Sequence, residues 1–133
     1  MERTDLNPKE LPEPRGYTHV VVVQDAGKTI YAGPVLGWNK DRKFVDGDDL
    51  KTQAEGAYRN LGVALAAAGA TYRDVVKLTA YVVGLRPEIV PTLREARRKF
   101  FTDDQVPTLA QIGVSALVSP EVLIEVDAIA AIP

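Results

Sequence analysis

Between residues 50 and 83 the apolar residues change their spacing once, from three and four to two. Leu50, Ala54, Ala57, Leu61, Ala64, Leu65 and Ala68 recur a helical turn apart and make one stripe about five turns long. Asp48 and Asp49 stand before it, where carboxylates cap free N–H groups and meet the positive end of the helix dipole. Gly69 follows as a residue suited to a left-handed helix end. From Val75 the pattern alternates, with Val76, Leu78, Ala80 and Val82 on one face of a half-buried strand. Such a unit needs a second layer: the alanine-rich stripe must lie close against a sheet, and the strand must find neighbours.

The remaining segments supply them. His19-Val20-Val21-Val22-Val23-Gln24 is a β-branched run too short for a helix. Asp25-Ala26-Gly27-Lys28 reads as a turn that sends the chain back into an antiparallel strand over residues 29–33. Residues 34–47 form a polar loop around Trp38, with a short strand expected at Lys43-Phe44-Val45. Pro87 and Pro91 mark a second helix start, its stripe being Ile89, Leu93, Ala96 and Phe100. Two strands close the chain, around residues 110–114 and 123–131; in the last, Val122, Ile124, Val126, Ala128 and Ala130 face one way, Glu125 and Asp127 the other. Residues 1–15, with Pro8, Pro12 and Pro14, are expected as an extended arm and residues 16–133 as one domain. The predicted fold is an α+β sandwich, a mixed sheet with two helices on one face.

Composition excludes several function classes. A chain of 133 residues has room for one core. Sixteen basic residues against eighteen acidic ones, with no basic stripe, argue against nucleic acid as a partner. With no cysteine, thiolate catalysis and Cys-based zinc sites fall away; one histidine, His19, argues against a His-rich metal site or a Ser-His-Asp triad. The apolar runs are too short for a membrane span, and residues 1–14 do not resemble a signal peptide, so a cytoplasmic location is expected. No phosphate loop, dinucleotide fingerprint or nucleophile elbow occurs, and no cofactor is implied.

Glu125 and Asp127 project from one strand face with Cβ atoms about 6–7 Å apart. They are either a solvated polar face or a pair capable of general acid–base work, and the flanking Leu123 and Ile129 suit a subunit interface with a polar pocket. Arg94, Arg97 and Arg98 lie on one helix arc, as a solvated face or an anion site. Tyr17 is a packing residue or a pocket wall, His19 a strand-end histidine or a catalyst, and Trp38 a loop residue suited to a subunit contact.

Several segments together resemble the RidA (YjgF) family. Ala67-Ala68-Gly69-Ala70-Thr71-Tyr72-Arg73-Asp74-Val75-Val76-Lys77-Leu78-Thr79 is similar to its helix-to-strand signature almost residue for residue. Gly16-Tyr17-Thr18-His19 resembles its entry to the first strand, Tyr31-Ala32-Gly33-Pro34 the end of its second. Residues 107–117 and 123–130 resemble its closing strands. The resemblance spans about residues 16–132. It implies a chorismate-mutase-like sandwich, a homotrimer with clefts between subunits, and, in the deaminase branch, cofactor-independent hydrolysis of enamines and imines derived from amino acids.

In that branch an arginine holds the substrate carboxylate bidentately. Here the stretch reads Pro107-Thr108-Leu109-Ala110, with Leu109 at the arginine's place; Ala32 replaces a serine, and Arg94 falls near a helix asparagine. Tyr17, Gly33 and Glu125 match cleft positions. The resemblance thus implies Glu125 as the catalytic carboxylate and Tyr17, Ala32, Gly33, Arg94, Leu109 and Gln111 as ligand-binding residues. Losing two charge-assisted bonds weakens a carboxylate substrate by about two to four powers of ten, which argues against the standard deaminase activity. The expectation is a homotrimer that binds a small metabolite in its clefts, with or without hydrolysing it; the alternatives are a non-enzymatic ligand-binding or regulatory trimer and, disfavoured by the absence of a basic patch, RNA cleavage.

Overall fold

The computed structural model describes residues 1–102 and 104–133. The first helix, α1 (Leu50–Ala67), opens where the aspartates stand: Asp49 is its N-cap, its carboxylate accepting from the Thr52 N–H at 3.2 Å. Gly69, with φ +80°, turns the chain beyond the other end. Ala54, Ala57, Leu61 and Leu65 are buried, so the predicted stripe is the face laid on the sheet. The second helix, α2 (Val90–Arg98), follows a short 3₁₀ turn over Pro87–Ile89, with Pro91 in its first turn. It packs beside α1 and buries Leu93 and Ala96.

Among the described residues there are six strands: β1 (Glu2–Leu6), β2 (Val20–Gln24), β3 (Lys28–Val35), β4 (Val75–Val83), β5 (Thr108–Val114) and β6 (Ile124–Ile132). Four of them form a mixed sheet in the order β3-β6-β4-β5, in which β4 and β5 are parallel and the other pairs antiparallel. Both helices cover one face, as predicted. Val122, Ile124, Val126, Ala128 and Ala130 line the core side of the β6 region. Tyr58, Tyr72, Phe100 and Phe101 cluster with ring centroids 5.3–6.0 Å apart. Deleting a fully buried aliphatic side chain such as Leu61 from this interior would cost about 2–5 kcal/mol.

Three local expectations are corrected. Residues 43–45 form no strand; Lys43 instead donates its N–H to Asn39 Oδ1, within a loop turn. The N-terminal segment is not merely an arm, since Glu2–Leu6 pairs antiparallel with β2. Finally, β2 does not pair with β3 across the turn: β2 goes to β1, and β3 to β6. Tertiary anchoring overrides the local hairpin. The Arg3 side chain donates to the carbonyls of Arg73, Val75 and Val106 at 2.9–3.0 Å and pairs with Asp5 at 2.8 Å, which ties the β1–β2 ribbon to the N-terminal ends of β4 and β5. The outer edge of β3 therefore carries no strand among the described residues.

Candidate functional site

The arginine arc of α2 does not lie wholly in solvent. Leu93 is drawn into the core, and Arg97, one turn later on the same stripe, goes in with it and is 3% exposed. Burial holds the Arg97 guanidinium below the usual arginine range; the Tyr58 hydroxyl opposes that shift, and the charges of Arg94 and Arg98 add to it. Burial likewise pushes the Tyr58 phenol up to about 12, against the pull of Arg97. Gly16, at φ +75°, lets the N-terminal segment pass over this side chain; a Cβ there would stand 3.3 Å from Arg97 Nη2. Thr18 pins the segment to the start of β5, its N–H donating to the Pro107 carbonyl at 2.9 Å and its hydroxyl to the Val106 carbonyl at 2.7 Å.

A cavity of about 590 Å³ results between α2, β5 and residues 12–17. Tyr17, Arg94, Leu109 and Gln111 line it, so the structure brings four of the predicted residues together. Leu109 and Gln111 are in register with Leu78 and Ala80, and so face the helix side of the sheet. Gln111 Oε1 is buried without a hydrogen-bond partner. Among the described residues, none of Arg94, Arg97 and Arg98 forms an ion pair with a carboxylate. Sequence reasoning did not single out Gly16 for the site, and it read Arg97 and Arg98 with Arg94 as either a solvated face or an anion site. Arg97 carried a signal, standing four residues after Leu93, although arginine chemistry favours the surface.

The other predicted residues lie elsewhere in the chain. Ala32 and Gly33 border a shallow depression of about 260 Å³ with Tyr31, Asp127 and Ile129, at the opposite edge of the sheet. Gly33 has φ +91°, and a Cβ there would meet the Val126 carbonyl oxygen at 2.8 Å, so a side chain is excluded twice over. Glu125 sits in register with Tyr81 on the face turned away from the helices. There the Tyr81 hydroxyl donates to Asp127 Oδ2 at 2.9 Å, a bond that raises the phenol pKa, with burial adding to it. Within one chain, the sheet separates Glu125 from Leu109.

His19 is a strand-end residue: Nε2 is 2.8 Å from the Pro12 carbonyl, the ring lies edge-on to Tyr17, and the His19 backbone N–H donates to Asn7 Oδ1. Trp38 is half-buried beside Phe44. Among the described residues, no cluster of three or more His, Asp or Glu side chains could hold a metal ion, and no helix is long and apolar enough to cross a membrane.

The chain resembles known proteins over most of its length. The profile of a family described as endoribonuclease L-PSP matches residues 9–132. A 2-iminobutanoate/2-iminopropanoate deaminase of Dermatophagoides farinae is 27% identical over 120 residues, covering 84% of this chain and 88% of that protein. Among solved structures, YyfB of Yersinia pestis, described as a protein of unknown function of the conserved Rid family, is 34% identical with a TM-score of 0.90, covering 99% of this chain and 100% of that one. Rv2704 of Mycobacterium tuberculosis, of the YjgF/YER057c/UK114 family, is 26% identical with a TM-score of 0.67, covering 98% and 100%.

Proposed function

Because this chain belongs to the Rid/YjgF family, whose profile carries the description endoribonuclease L-PSP, we propose that it forms a homotrimer binding a small metabolite in clefts between its copies. One observation carries the reading. The two halves of the expected site lie at opposite edges of one sheet, Tyr17, Arg94, Leu109 and Gln111 beside β5 and Ala32 and Gly33 beside β3. A site that unites them draws on two copies. The face turned away from the helices supports the same assembly: Tyr31 is 77% exposed and Ile112 43% exposed, beside half-buried Leu123, Ile129, Tyr81 and Val83.

In this reading Glu125 places the water in the cleft, a carboxylate being able to accept its proton at hydrogen-bond distance. Leu109 offers no donor to a substrate carboxylate, so imines of small amino acids are hydrolysed poorly, unlike the reaction named for the mite relative. The test is an imine-hydrolysis assay on wild type, Leu109→Arg and Arg94→Ala. Low wild-type turnover is expected, with kcat/KM rising about tenfold or more in Leu109→Arg, the equivalent of one charge-assisted bond. Robust wild-type deamination that survives Arg94→Ala would overturn this reading of Leu109. Non-enzymatic binding is the second reading, and Leu109 also favours it; ligand binding without turnover in Leu109→Arg as well as wild type would select it.

A further inference from the structure

We infer that the cavity beside α2 takes a dianionic small molecule, a dicarboxylate or a phosphate monoester, held by Arg94, Arg97 and Arg98 rather than from the β5 position that Leu109 occupies. The inference rests on the reading of this cavity as the ligand site and adds the class of ligand. Charge is the first ground. Four guanidinium groups, those of Arg15, Arg94, Arg97 and Arg98, border the cavity against one carboxylate, Glu13, and among the described residues none of the four forms an ion pair with an acid. A monocarboxylate would leave most of that charge unmatched.

Burial is the second ground. Arg97 is 3% exposed, and among the described residues the Tyr58 hydroxyl is the neighbour that favours its charged form. A buried cation without a counter-ion is costly to keep, and an anion in the adjoining cavity relieves it. Arg94 and Arg98 stand one helical turn apart with Arg97 between them, so their mutual repulsion adds to the same demand. The third ground is shape. Gly16 packs closely over the Arg97 guanidinium, where a Cβ would stand 3.3 Å from Nη2, and Arg97 still borders the cavity. Guanidinium is planar and forked, which suits the paired oxygens of carboxylate and phosphate alike. The buried, unpartnered Gln111 Oε1 in the same wall accepts from a ligand O–H or N–H. Leu109, Val90 and Tyr17 supply the apolar side.

The experiment is titration calorimetry, with amide and side-chain NMR shifts, of the intact protein at constant ionic strength and a pH of about 8, where phosphate is mostly dianionic. The probes are malonate, inorganic phosphate and propionate; the first two separate the dicarboxylate from the phosphate class. Malonate or phosphate should bind at least about tenfold more tightly than propionate. Arg94→Gln and Arg98→Gln, both on the accessible rim, should each weaken that binding by about 10- to 100-fold. Arg86→Gln, at an exposed pair with Glu88 outside the cavity, should leave it unchanged. Propionate binding as tightly as the dianions while shifting Tyr17 and Leu109 resonances would overturn the dianion assignment and leave the ligand-site reading standing. Dianion binding unaltered in both rim variants would overturn it as well. No shift at Tyr17, Leu109 or Gln111 with any probe would overturn both.

Discussion

Tyr58 shows how a single side chain sets a pH limit on this fold. Its phenol is 1% exposed and its pKa is pushed up to about 12 by burial, from an ordinary value of 10.0. A folded-state value above the unfolded one means the neutral form is favoured in the native protein. That contribution is fully present below pH 10.0 and is lost as pH rises towards 12, on the order of 3 kcal/mol in all. Tyr72 and Tyr81, also raised, act with the same sign. Urea midpoints should therefore fall steeply between pH 10 and 12, and Tyr58→Phe should flatten the fall while lowering stability at neutral pH, because Arg97 loses its hydroxyl neighbour. A midpoint unchanged across that range would show that the phenol is not held neutral by burial. At this scale the sequence was only partly legible. Leu109 was visible because its neighbours resemble a known pattern. Arg97 was visible only as one of three arginines on an arc, solvated face or anion site, since its stripe position and its charge argue in opposite directions and only the packing decides between them.

At the level of elements, the seam between α1 and the turn that precedes β4 yields a prediction of unusual sign. The Tyr72 hydroxyl donates to the Tyr58 carbonyl of α1 at 2.7 Å and interacts with the Gly62 N–H, so it sits against the helix backbone itself. A Cβ at Gly62 would land on that hydroxyl. Gly→Ala within a helix ordinarily stabilises by about 1 kcal/mol; Gly62→Ala should instead lower the melting temperature, by the several degrees that a loss of about 1–3 kcal/mol produces. A raised melting temperature would mean that Tyr72 moves aside freely. The helices and β4 to β6 were legible because each carries a period of its own. The ribbon was not: Glu2-Arg3-Thr4-Asp5-Leu6 has one apolar residue and no alternation to read. Its strand exists because Arg3, with a side chain 5% exposed, finds three backbone carbonyls some seventy or more residues away. Local patterns cannot announce a partner at that distance.

For the whole molecule, the proposed trimer follows from surface rather than from core. Tyr31 stands out from the uncovered sheet face, so Tyr31→Asp should split the assembly while leaving the helix-side core untouched. Sedimentation at micromolar concentration should give three chain masses for the wild type and one for the variant; a monomeric wild type would remove the basis for clefts between copies. The strand order carries a further consequence, this time for time rather than for surface. β6, last of the strands in the chain, lies between β3 and β4, and pairs Lys28 with Ile132 across about a hundred residues. Loops of that length close slowly, and contacts so far apart in sequence delay folding. A chain emerging from the ribosome as far as residue 120 has made α1, its apolar stripe and β3, but not β6, the other strand that α1 packs on. Until β6 arrives that stripe has β3 and α2 beside it but lacks the strand between β3 and β4, so the growing chain is open to aggregation and to chaperones over the later part of its synthesis.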